Sequence, residues 1–226
     1  MKPDLPYPDR AEAGQLLGVE LSCYKSRPDI VVLGLTRGGV PVAAEVANAL
    51  QAPLDVVVVR KLGAPFQPEL ALGAIAGDNT QVLDSDLVHA FGIAGKAVEA
   101  VIVKERAEVE RRERLYRGGR PPLDLNERTA ILVDDGLATG STMMAAVAYA
   151  RKRRAKRIVM AVPVASAEAI AKLREKVDEC VCLATPEPFF AVGLWYSDFL
   201  PVNDDEVMKL MEESAKRTAA PAPLRS

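Results

Sequence analysis

Short and nearly uninterrupted apolar runs punctuate the chain at residues 30–35, 54–59, 130–133, 158–162 and 180–184. Polar residues do not alternate within them, so each predicts a strand covered on both faces, as in a parallel sheet. Between the runs the apolar spacing changes to that of helices. Asp9 caps a helix to about residue 24, with Ala11, Leu16, Leu17 and Leu21 on its apolar stripe. A second helix begins after Gly38 and Gly39 and accommodates Pro41 in its first turn. Residues 84–91 predict a short helix and residues 96–117 a long one, striped by Val98, Val101, Ile102, Val109 and Leu115. Helices at 142–154, at 167–176 and from Asn203 or Asp204 to about residue 216 complete the set. The alternation predicts an α/β fold: a Rossmann-like parallel sheet of about five strands flanked by helices, with ligands at the carboxyl ends of the strands.

One stretch breaks this rhythm. Residues 62–69 are rich in turn formers and lead into the apolar or alternating pieces 70–76 and 80–83, so residues 60–83 predict a mobile hairpin. Segments 84–120 and 186–202 are candidates for a small hood. Residues 1–217 are expected to form a single domain, and 218–226 a disordered tail.

The run at 130–133 stops at Asp134 and Asp135, passes through Gly136, Leu137, Ala138, Thr139, Gly140 and Ser141, and enters a helix near Thr142. Backbone N–H groups in a loop of small residues can approach an anion closely, and the helix adds the positive end of its dipole. Two carboxylates on the rim of that cradle repel a bare phosphate but match neutral hydroxyls or a divalent cation. A sugar phosphate meets both conditions. A plain turn capped by Ser141 or Thr142 accounts for the hydroxyls but not for the adjacent acids. Three residues rather than four separate Gly136 from Gly140 and no lysine follows, which excludes a Walker A loop. No dinucleotide fingerprint follows a predicted strand either.

The block from Val133 to Thr142 resembles the phosphoribosyl-pyrophosphate (PRPP) motif of type I phosphoribosyltransferases. The resemblance implies a Mg2+-dependent pentosyltransferase of nucleotide metabolism, moving 5-phosphoribosyl from PRPP to a nitrogenous acceptor such as a nucleobase and releasing pyrophosphate. It implies that residues 137–142 hold the 5-phosphate and that Asp134 and Asp135 hold the ribose hydroxyls and favour positive charge at C1. Magnesium, held through the pyrophosphate, the ribose hydroxyls and these two aspartates, would act with Arg37 to neutralise the leaving group. Some purine-type members carry an acid where this chain has Ala138, which leaves the acceptor open.

Thr36, Arg37, Gly38 and Gly39 form a second glycine turn, placed like the family's pyrophosphate loop. Free amides and a guanidinium that grips two oxygens suit a pyrophosphate, whereas an ordinary turn with a solvated arginine is the alternative. Arg60 and Lys61 mark the solvent end of a strand or, if the hairpin closes over the site as the family's flexible loop does, meet the leaving pyrophosphate. The stretch 189–199 holds four of the chain's five Phe and five Tyr residues and its one Trp. There Phe190, Trp195 and Tyr196 suit stacking on a flat base and Asp198 suits its ring N–H, with a small aromatic core as the alternative.

Composition narrows the partners. A chain of 226 residues, 49% hydrophobic and 27% charged, suits one globular domain. Its 29 basic and 31 acidic residues nearly cancel, leaving no field to draw nucleic acid or membrane. The basic run 151–154 lacks interleaved aromatics and suits the negative pole of its own helix. The mixed-sign stretch 104–114 suits a solvated face or a homodimer contact. Cys23, Cys180 and Cys182 match neither a zinc pair nor a redox pair, no signal-peptide core opens the chain, and no run approaches the ~20 apolar residues of a membrane span. The expected location is cytoplasmic. A single histidine, His89, excludes histidine-rich metal sites. PRPP and a small nitrogenous acceptor remain as partners. Two other functions stay open: a PRPP-binding sensor without turnover, and PRPP synthesis, for which the sequence offers no nucleotide site.

Overall fold

The computed structural model describes residues 3–219, apart from the side chains at positions 68, 69, 71 and 219. Its strands are β1 (Ile30–Leu35), β2 (Leu54–Val57), β3 (Val59–Ala64), β4 (Gln67–Ala76), β5 (Thr80–Leu83), β6 (Thr129–Val133), β7 (Arg157–Val164) and β8 (Glu179–Ala184). Its α-helices are α1 (Arg10–Glu20), α2 (Gly39–Leu50), α3 (Ser85–Ala90), α4 (Gly95–Arg117), α5 (Ser141–Lys152), α6 (Ala167–Arg174) and α7 (Asp204–Ala219). Five strands form a parallel sheet in the order β2-β1-β6-β7-β8, and three form a separate antiparallel sheet, β3-β4-β5. The chain is therefore an α/β protein with the parallel sheet its apolar runs predict.

The runs are continuous because the sheet is buried on both faces. On β1, Ile30 and Val32 join the core shared with Leu17, Val46 and Val207, from α1, α2 and α7. Val31, Leu33 and Leu35 join the opposite core, which holds Met143 and Tyr149 of α5 and Leu173 of α6. The buried face of α1 is Ala13, Gly14, Leu17 and Gly18, not the stripe expected through Ala11 and Leu16. Its two glycines explain the shift: a Cβ on Gly18 would stand 2.7 Å from the Cβ of Ala49, so α1 and α2 meet almost backbone to backbone. Asn203, rather than Asp204, caps α7 by accepting from the Glu206 N–H at 2.8 Å. Thr218 and Ala219, expected to open the tail, belong to that helix. The rest of the expected tail, 220–226, lies outside the described residues.

The run at 54–59 is cut in two. β2 ends at Val57 and β3 starts at Val59, so Arg60 and Lys61 lie inside a strand of the second sheet, not at the solvent end of the first. Val56, Val57, Val58 and Val59 are all buried, which hides the break from any reading of hydrophobicity. The segment expected as a hairpin is a three-stranded sheet lying against α4 and α5. Its β4–β5 turn is moored: Lys152 donates to the Asp78 carbonyl and Arg153 Nη1 reaches the Asp78 carboxylate at 3.0 Å. Arg151 donates to the Lys176 carbonyl at 2.6 Å. The basic run thus ties the small sheet and the α6–β8 turn to the end of α5.

Strand order decides where a ligand fits. From β1 the chain crosses to β2 on one side, and from β6 to β7 on the other, so a crevice opens between the carboxyl ends of β1 and β6. Gly34 pairs with Val133 at the ends of these strands, which brings the Thr36 turn and the Asp134 loop out side by side. No described helix is long and apolar enough to cross a membrane.

Candidate active site

The loop after β6 is pinned from behind and free in front. Leu137 N donates to Val164 O at 3.0 Å, Ser166 N to Leu137 O at 2.9 Å, and Ser166 Oγ to Ala138 O at 2.7 Å. The amides of Ala138, Thr139, Gly140 and Thr142 find no acceptor among the described residues, and Ser141 N has only a 3.5 Å contact with Thr139 Oγ1. Unpaired N–H groups at the start of a helix are the raw material of an anion site. Gly140 is fixed by its backbone: its φ is +79°, and a Cβ there would lie 2.8 Å from Leu173 Cδ1.

Asp134 and Asp135 stand at the mouth of this loop. Burial pushes the Asp134 carboxyl well above the ordinary carboxylate range, and the neighbouring Asp135 charge adds to the shift. Burial raises Asp135 too, but Arg10 opposes it, with Nε 2.9 Å from Asp135 Oδ2 and only 12% and 14% of the two side chains exposed. Arg10 Nη1 also donates to Leu200 O at 2.8 Å, and its guanidinium lies 3.9 Å over the Phe199 ring. Tyr196 donates to the Asp135 carbonyl at 2.5 Å, and burial pushes its phenol up, keeping it a donor. One arginine therefore joins the acid pair to chain segments nearly two hundred residues apart.

The loop after β1 is pressed against these acids. A Cβ on Gly39 would stand 2.7 Å from Asp134 Cα and 2.8 Å from Val133 O, and one on Gly38 would strike the Asp135 carboxylate. At Gly39 the backbone of the neighbouring loop leaves no room for a side chain, whereas at Gly38 the obstacle is the Asp135 side chain. The Thr36–Arg37 peptide is cis. Arg37 pairs with a third acid, its Nη1 lying 3.3 Å from Asp204 Oδ1, which also accepts from Tyr116 Oη at 2.7 Å. Thr36 Oγ1 is buried without a hydrogen-bond partner among the described residues.

A cavity of about 590 Å³ unites Thr36, Arg60, Lys61 and Thr142 around one continuous space. A second, of about 420 Å³, is lined by Thr139, Gly140, Ser141 and Lys172. The structure thus gathers the two glycine loops and the β3 cations. The aromatic candidates disperse. Phe190 is 78% exposed, Trp195 packs on Phe189 at 6.2 Å between ring centroids, and the Asp198 carboxylate accepts from Leu200 N at 3.1 Å. Tyr196 belongs to a small core with Tyr7, Ala13 and Val164, so it supports the acid loop from below. Sequence reading missed Arg10 and Ser166. Ser166 had a local signal, since it caps α6 through the Ala169 N–H, whereas an arginine one residue past a cap gives none.

A five-stranded parallel sheet with a phosphate-ready loop and paired acids at its switch point defines a class, and comparison confirms it. The family model described as "Phosphoribosyl transferase domain" matches residues 19–197, and the chain belongs to that family. A Mycobacterium tuberculosis protein named "Putative phosphoribosyl transferase" is 47% identical over 227 residues. The alignment takes in 97% of this chain and 51% of that protein, so the chain spans about half the length of the curated relatives it matches. The crystal structure of the Thermus thermophilus protein TT1426 is 41% identical, with a TM-score of 0.79, covering 92% of this chain and 99% of that one. A hypothetical protein of Neisseria gonorrhoeae, solved with ppGpp, shares the fold at a TM-score of 0.51 and 16% identity, over 94% of this chain and 98% of that one.

Proposed function

We propose that this chain transfers the 5-phosphoribosyl group of PRPP to a nitrogenous acceptor, a nucleobase in the simplest case, with release of pyrophosphate. The observation that carries the reading is the row of amides from Ala138 to Thr142, which among the described residues have no acceptor beyond the 3.5 Å contact of Ser141 N, beside two part-buried carboxylates. The amides and the α5 dipole hold the 5-phosphate. Asp134 and Asp135 accept from the ribose hydroxyls. As the C1–O bond to pyrophosphate breaks and the acceptor nitrogen bonds to C1, their charge stabilises the cationic sugar. Arg10 and Tyr196 fix Asp135 for that task. Thr36, Arg60 and Lys61 hold the pyrophosphate, and Arg37 joins them by leaving Asp204. Catalysis is mostly positioning and electrostatics.

Magnesium fits this donor set. No cluster of three or more His, Cys, Asp or Glu side chains that could hold a metal exists among the described residues, while two carboxylates stand against the Gly38–Gly39 turn at the mouth of the β6 loop. A magnesium ion takes most of its ligands from water and substrate oxygens and needs only one or two carboxylates. When bound, it would neutralise the pyrophosphate.

The test is to mix the chain with PRPP, Mg2+ and a panel of purine and pyrimidine bases and to follow pyrophosphate. Release that depends on one base supports the enzyme. Tight PRPP binding without release under any base would instead make the chain a PRPP sensor, and no PRPP binding would overturn both.

A further inference from the structure

The 590 Å³ cavity has a wall that the phosphate loops do not supply. It comes from the middle of α4, where Lys104 and Glu105 line the same space as Thr36, Arg60, Lys61 and Thr142. Lys104 is exposed and has no ion-pair partner among the described residues. Glu105 is 14% exposed and grips Arg60 by one atom only, Oε2 to Nε at 2.8 Å. The terminal nitrogens of Arg60 make no hydrogen bond among the described residues. A guanidinium held at Nε keeps its outer pair of nitrogens free in a fixed plane, the geometry that meets two phosphate oxygens at once. Thr36 lines the same space, and its hydroxyl makes no hydrogen bond among the described residues.

We propose that α4 completes the diphosphate end of the site: Lys104 contacts the diphosphate directly, and Glu105 is a positioning residue that aims Arg60 at it. The inference rests on the PRPP reading above and extends it to a helix on which no part of the phosphate motif lies. Three cations around one carboxylate give the cavity the excess positive charge that a diphosphate needs and a monophosphate sugar does not.

Calorimetric titration of the full chain with Mg-diphosphate, PRPP and ribose 5-phosphate tests this. Lys104→Met keeps the aliphatic stem and should weaken diphosphate and PRPP about tenfold, leaving ribose 5-phosphate within about twofold. Glu105→Gln should weaken diphosphate about threefold. It should add nothing to Arg60→Lys, because a positioning residue acts only through its arginine. Unchanged diphosphate affinity in Lys104→Met, equal losses for ribose 5-phosphate, or additive losses in the Arg60→Lys, Glu105→Gln double variant would overturn the proposal. A wild-type chain that binds ribose 5-phosphate but neither diphosphate nor PRPP would remove the α4 assignment. One that binds none of the three would remove the phosphoribosyltransferase reading beneath it.

Discussion

The loops after β1 and β6 leave adjacent strands, carry glycines and enter helices, yet they present different groups to the crevice between them. The β6 loop turns its back to β7 and leaves its front amides unpaired among the described residues. The β1 loop spends its glycines on contact with the other loop, and its one cation is held by Asp204. A strand–turn–helix pattern therefore says where a ligand can sit. What each loop offers that ligand depends on which of its groups the rest of the protein has already used.

The sharpest way to break this contrast is to compare variants by PRPP titration. Asp134→Asn with Asp135→Asn should lower PRPP affinity by about a hundredfold, whereas Arg37→Ala should lower it about tenfold, since Arg37 must first leave Asp204. Equal losses would mean that the loops share one task.

Stability separates the glycines next. Gly39→Ala drives a Cβ into the backbone of Asp134 and Val133 and should cost about 1–3 kcal/mol, with PRPP binding lost. Gly140→Ala has to adopt a positive φ but meets only the end of a leucine side chain, so about 1 kcal/mol is expected. Thermal unfolding of the two variants checks the order, and a milder Gly39→Ala would refute the close approach of the loops.

The acids make a subtler case in metal-free, ligand-free buffer. Asp134 has its folded-state value raised, so the folded protein binds more protons than the unfolded chain and loses stability as pH climbs from about 4 toward that raised value. Asp134→Asn, which keeps an acceptor for the Asp135 N–H, should be more stable than wild type at pH 7 by about 1 kcal/mol. The gain should vanish below about pH 4, where both chains are uncharged at this position. A variant less stable than wild type at pH 7 would show that the carboxylate is well solvated. The smallest effect belongs to Asp204→Ala: it removes a half-exposed ion pair and one phenol hydrogen bond, and denaturant unfolding should shift by about 1 kcal/mol or less.

Much of this was legible in the residues. β1, β6 and β7 announced themselves because strands buried on both faces must be apolar throughout, and the acid pair and small-residue loop pointed to the family that the comparisons show. The same uniformity concealed the break after Val57, since a run that is buried on either side of a boundary carries no mark of it. The basic run 151–154 looked like a helix end meeting its dipole, and two of its members also hold Asp78. Tyr196 looked like a base-stacking ring and is a buried strut under Asp135, because aromatic density does not distinguish a ligand shelf from a core.

Spacing along the chain encodes which face of each element is apolar and which turns need glycine, and from these the sequence alone determined the parallel sheet, its helices and the small-residue loop after β6. It did not encode partners distant in the chain. The meeting of Arg10 with Asp135, of Arg37 with Asp204 and of Glu105 with Arg60 was decided only by the folded arrangement. The reason is physical: burial and local geometry act on neighbours in sequence, whereas the charge state and aim of a functional side chain follow from whatever the crossing of strands and helices places beside it.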